Sequence, residues 1–102
     1  MAEETTQPKL RQRAADNVVF IGKKPSMAYV LAAVTQFGEG QKEILLKARG
    51  KAISKAVDVA EIVKNRFVQD AKIGNIQIGT EAIEGENKEI LNISTIEIAL
   101  KK

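Results

Sequence analysis

A chain of 102 residues, 44% hydrophobic, with no cysteine or histidine and a formal net charge of +3, is the size of one domain and should bury roughly 60–70% of its unfolded surface. This composition excludes a disulfide framework and thiolate catalysis, and it removes the commonest metal ligand and acid/base group, so neither enzyme activity nor a cofactor or metal is expected. No apolar run approaches the roughly 20 residues that cross a bilayer, and the N-terminus lacks a secretory hydrophobic region, so the expectation is a soluble, intracellular protein without a membrane partner. The charge is unevenly placed: residues 14–56 hold seven cations against three anions, whereas from residue 57 onward six cations face eight anions. A basic first half is what a directed anion-binding patch requires.

Residues 1–15 have no hydrophobic periodicity and read as a flexible tail ahead of a domain over residues 16–102. Val18 to Ile21 is a short continuous apolar run, as expected of a strand buried on both faces, and Phe20 within it falls at a core position. Pro25 suits a first helical turn, and Met27, Val30, Leu31, Val34 and Phe37 then recur at the spacing of an amphipathic helix. Gly38 and Gly40 end that helix, and Glu43 to Ala48 forms a second strand around Ile44, Leu45 and Leu46. A second helix is expected from about Lys51 to Val68. Its apolar residues (Ala52, Ile53, Ala56, Val57, Val59, Ala60, Val63, Phe67 and Val68) cover about half the circumference, more than one sheet needs, which points to a further subunit on that face. After Gly74 the period becomes two, through Ile76 and Ile78 and then Ile96, Ile98 and Leu100, with Thr95, Glu97 and Lys101 on the opposite side. Glu84-Gly85-Glu86-Asn87-Lys88 reads as the tip of a long antiparallel hairpin. The order β-α-β-α-β-β gives an α+β fold, a small two-layer sandwich on a four-stranded mixed sheet, with a right-handed crossover between the first two strands.

Two basic segments, Gly22-Lys23-Lys24-Pro25 and Lys47-Ala48-Arg49-Gly50-Lys51, each lie where a strand ends and a helix begins. If the two strands are parallel neighbours, both segments emerge at one sheet edge, near two helix N-termini that favour anions. A polyphosphate backbone is the natural ligand. A mononucleotide loop fits poorly, because the pattern G-x-x-x-x-G-K-[ST] needs glycine where Asn17 and Leu45 stand. A base-stacking platform is disfavoured too: the chain has one tyrosine, Tyr29, and three phenylalanines, and Phe20 and Phe37 occupy core positions. Asp58 and Glu61 read as a solvated helix face, since two carboxylates without a third ligand make a weak metal or acid/base site. Phe67, beside Asn65 and Arg66, fits equally well as a core residue or as an exposed anchor for another protein.

Asn17 to Pro25 (NVVFIGKKP), Lys47 to Val57 (KARGKAISKAV), Glu61 to Phe67 (EIVKNRF) and Ser94 to Ala99 (STIEIA) resemble the Alba family of archaeal chromatin proteins, over nearly all of residues 17–101. The resemblance implies a fold similar to the C-terminal domain of bacterial initiation factor three. It also implies a dimer, with itself or with a paralogue, that coats and condenses double-stranded DNA without marked sequence preference, binds RNA as well, and resides with the chromosome in the archaeal cytoplasm. Position by position it implies that Lys23 and Lys24 are the central basic pair, that Lys23 is an acetylation site, that Arg49 and Lys51 with Asn65 and Arg66 bind nucleic acid, and that Phe67 lies between neighbouring dimers. The hairpin departs from the family's basic arms: residues 80–90 hold Glu81, Glu84, Glu86 and Glu89 against Lys88 alone. An RNA-binding subunit or RNA chaperone on the same scaffold is the alternative. The dimer itself is expected through the wide apolar face of the second helix and the strands beside it, so that a charge at Val59 should impair dimer formation.

Overall fold

The Val18–Phe20 run forms strand β1 in the computed structural model, which describes residues 17–102; the expected tail lies outside them. Pro25, at φ −58°, stands immediately before helix α1 (Ser26–Gly38), where its ring fixes the entry and its missing N–H goes unused. Gly40, at φ 106°, closes α1, and the amide of Gln41 returns to the carbonyl of Gln36. Strand β2 (Glu43–Arg49) follows, then a 3-10 turn (Gly50–Ala52) entered through Gly50 at φ 60°. Helix α2 (Ile53–Ile62) runs into a π-helical turn (Val63–Phe67), and strands β3 (Lys72–Glu84) and β4 (Ile90–Lys101) form the hairpin. The expected single helix over 51–68 is therefore three consecutive segments. Its hydrogen-bond pattern loosens at the end, where Val68 closes back on Val63 at 2.8 Å.

The four strands pair in the order β1-β2-β4-β3. β1 and β2 are parallel, with Val19 opposite Leu46, and the other two pairings are antiparallel. Both helices cover one face of this sheet. Val19, Ile21, Ile44, Leu46, Ile98 and Leu100 point into that layer, against Val30, Ala33 and Phe37 of α1 and Ala56, Val59, Ala60 and Val63 at and beyond α2. The opposite face carries no helix, which corrects the reading of β1 as buried on both sides. Phe20 pairs with Lys47 on the open face and is 69% exposed. Three residues are too few to display an alternation that a longer strand would reveal.

Helix α1 is also rotated from its expected face. Met27 and Leu31 are exposed, while Tyr29, Val30, Ala33 and Phe37 are buried, a shift of roughly 80° at 100° per residue. The small Ala33 permits close approach to the core, and Tyr29 is turned toward the loop after β1. Helix α2 needs less external cover than its sequence implies, because α1 as well as the sheet packs against it. Val59 is completely buried within this chain, so a charge there acts on the fold and not on a dimer face. Val59→Asp is expected to abolish cooperative thermal unfolding of the protomer by burying an unpaired charge. Besides Phe20, Met27 and Leu31, the large apolar side chains left in solvent are Val57 on α2, Phe67 in the π-helical turn, Ile76 and Ile78 on β3, and Ile90 and Leu91 at the start of β4. Ile76 and Ile78 stand opposite Ile98 and Ile96, on the helix side of the sheet but beyond the helices' reach.

Candidate nucleic-acid interface

Because β1 and β2 are parallel and in register from Val18 opposite Leu45 to Phe20 opposite Lys47, the segments that follow them leave the sheet at the same end. Lys23 and Lys24 project from the β1–α1 loop, and Lys51 from the 3-10 turn after β2; all three are exposed. Among the described residues no carboxylate lies within 4.0 Å of these three ammonium groups. Neither helix that starts at this edge has an acidic residue in its first turn. Repulsion among the cations and the positive helix ends is therefore not relieved locally, which leaves the edge suited to an anion.

Two residues not identified from the sequence shape this edge. The hydroxyl of Tyr29 accepts hydrogen bonds from the amides of Gly22 and Lys24, each at 2.9 Å. Lys55, in the first turn of α2, donates from Nζ to the carbonyls of Gly22 at 3.2 Å and Lys24 at 2.7 Å, with its ammonium 6.0 Å from the centre of the Tyr29 ring. The loop is thus gripped from both sides by its own backbone groups. Its amides at 22 and 24 are taken up by tyrosine, so the charge offered to a ligand is that of the side chains. A side chain at position 22 would crowd the arrangement, since a Cβ there would stand 3.3 Å from the Tyr29 hydroxyl. The only sequence signal for the clamp is a lone tyrosine on the loop-proximal turn of α1.

Arg49 is placed differently from the lysines. Its Nη1 donates to Glu81 Oε1 at 2.6 Å, and the neighbouring Lys47 lies 3.4 Å from Glu97, both on the open face of the sheet. Asn65 and Arg66 are exposed in the π-helical turn, roughly 20 Å along the helix from the basic edge at 1.5 Å per residue. Asn65 donates to Glu61 at 3.3 Å and its carbonyl accepts from Gln69 at 3.2 Å. The structure therefore gathers Lys23, Lys24 and Lys51 at one edge, sets Arg49 beside them in an ion pair, and leaves Asn65 and Arg66 at the far end of the helix. Phe67 is 45% exposed there. Asp58 and Glu61 are solvent-exposed, and no group of three or more potential metal-ligating side chains occurs among the described residues. No helix among these residues is long and apolar enough to cross a membrane.

The protein named DNA/RNA-binding protein Alba from Methanocella arvoryzae is 60% identical over 87 residues, covering 85% of this chain and 91% of its own length. The protein of that name from Picrophilus torridus is 56% identical over 90 residues, covering 87% and 99% respectively. The solved structure of Alba from Thermoplasma volcanium superposes with a TM-score of 0.81 at 53% identity, over 84% of this chain and all of that one. The family model for Alba matches residues 17–80, from the start of β1 through both helices and into the hairpin, and on these grounds the chain belongs to the Alba family.

Proposed function

We propose that this protein binds nucleic acid through the edge formed by Lys23, Lys24 and Lys51, coating double-stranded DNA without sequence preference as a two-fold dimer. The observation that carries the reading is the convergence of these three lysines at the ends of two parallel strands, two of them on a loop immobilised by Tyr29 and Lys55 and the third on the 3-10 turn beside it. The relatives named DNA/RNA-binding proteins support the same class of ligand. Flexible ammonium groups meeting phosphates give affinity independent of base identity, whereas base reading needs side chains held against the groove edges. A single edge of three lysines grips a duplex weakly, and a second copy related by two-fold symmetry multiplies the contacts. The exposed Ile76 and Ile78 on β3 are the surface that such a copy, or a paralogue, would cover. Asn65 and Arg66 extend the contact, and Phe67 meets the neighbouring dimer along the DNA. In this reading the protein is a chromosome-associated component of the archaeal cytoplasm that compacts DNA, and acetylation of Lys23 weakens binding by removing one cation.

The acidic hairpin favours a second reading, binding of structured RNA by the same lysines, because an arm with Glu84, Glu86 and Glu89 toward its tip resists insertion along a duplex. Competition between duplex DNA and structured RNA at one salt concentration separates the two. Preference for DNA, or parity, supports the coating role, and a strong RNA preference replaces it.

A further inference from the structure

We infer that Glu81 is an internal competitor for Arg49, so that the affinity and salt dependence of nucleic-acid binding are set on the hairpin arm as well as at the lysine edge; this rests on the function proposed above. Arg49 sits on β2 and Glu81 on β3, with β4 between them. The guanidinium can cross β4 because the residues along its path are small: Arg49 stands opposite Thr95, and Thr95 opposite Gly79. A Cβ at position 79 would come within 3.3 Å of the Thr95 hydroxyl, so the path is narrow even without a side chain there. The result is a charge-assisted hydrogen bond of 2.6 Å between groups that are 60% and 49% exposed, in the trough on the open face that Phe20, Lys47 and Gln77 also line.

A pair this exposed is worth little to the fold, but it changes what Arg49 can offer a phosphate. Lys23, Lys24 and Lys51 meet an approaching backbone without a carboxylate partner among the described residues, and each contact releases a counterion from DNA. For Arg49 the phosphate has to displace a carboxylate, which then collects a cation from solution and cancels the release. Arg49 therefore contributes almost nothing to the salt dependence while Glu81 is present, and Glu81 adds a negative charge facing the same ligand.

The test is a salt titration of duplex DNA binding by the full chain, Glu81→Gln, Arg49→Ala and the double variant, with Glu86→Gln as a change of equal charge on the same arm that does not touch Arg49. Glu81→Gln should steepen the log-log slope by about one unit per protomer and raise affinity about two- to fivefold near 0.1 M salt. Arg49→Ala should leave the parent slope nearly unchanged and remove the whole gain in the Glu81→Gln background. Equal effects of Glu86→Gln and Glu81→Gln would reduce the result to net charge and overturn the inference, as would an Arg49→Ala effect of the same size in both backgrounds. A parent protein whose binding ignores salt would instead overturn the lysine-edge reading, and the inference with it.

Discussion

The β1–α1 loop and the β3–β4 hairpin both project beyond the sheet, yet they are held by different means and carry opposite charge. The loop has two amides fixed on a buried tyrosine and two carbonyls fixed on a lysine from another helix. The hairpin is held by its own ladder, and its turn is closed by the Gly85 amide on the Glu89 carbonyl at 2.8 Å and by Lys88 in a left-handed conformation at φ 65°. Cations are thus presented from a segment anchored to the core, and the tip anions, Glu84, Glu86 and Glu89, from a projecting arm held by its own ladder, with the Arg49–Glu81 pair tying its base to β2. On the function proposed above, the backbone that carries the contacting cations is fixed to the core, while the reach of each ammonium group stays flexible.

The comparison breaks most visibly if the loop lysines are removed. Lys23→Ala with Lys24→Ala should flatten the salt dependence of DNA binding by about two units per protomer, equally for all sequences, while thermal unfolding stays unchanged. An unchanged slope would take the loop out of the interface. Tyr29→Phe sharpens the contrast between charge and anchorage. It deletes the acceptor of two amides and should lower stability by about 1–3 kcal/mol, read by chemical denaturation. Affinity should fall severalfold with no change of slope, because the number of cations is the same. A change of slope instead would mean that the tyrosine acts on the ligand rather than on the loop.

Phe67→Ala probes the far end of the second helix. Sedimentation equilibrium should find the parent's oligomeric state preserved, and isotherms on long DNA should lose cooperativity; dissociation to monomers would move Phe67 into the dimer contact. The smallest effect is expected from the hairpin tip, where Glu84→Gln with Glu86→Gln should raise DNA affinity by no more than a few-fold, since exposed charges beyond about 10 Å from a partner are screened at 0.1 M salt. A gain comparable to the loss from the loop lysines would show that the arm lies against the nucleic acid after all.

The element order and the position of the two basic segments at strand ends could be read from the sequence because each rests on local signals: an apolar run, a proline, glycines at helix ends and a change of period from 3.6 to 2. Their shared edge followed only on the condition that β1 and β2 pair in parallel, which no local signal fixes and the fold supplies. The side chains that organise the edge could not be read in this way. Tyr29 and Lys55 meet through an intervening strand and helix, and Arg49 reaches Glu81 only in one register of three strands, 32 positions apart. Phe20 lies on the open face rather than in the core, and a three-residue strand gives no alternation by which to tell its faces. Val59 is hidden because the apolar arc of the second helix is shared between the sheet and α1, a division that the periodicity of one helix does not encode.

The double acceptance at the Tyr29 hydroxyl has a bearing on any enzyme that acts on Lys23. An active site that threads its substrate as an extended strand would have to strip the Gly22 and Lys24 amides from the tyrosine and the two carbonyls from Lys55 before the lysine could enter. Such an enzyme must therefore recognise the shape of the folded edge, and a short linear peptide with the sequence around Lys23 is a poor surrogate for it. Occupation by a nucleic acid would shield the same shape, so the lysine would be open to modification chiefly on molecules that have let go.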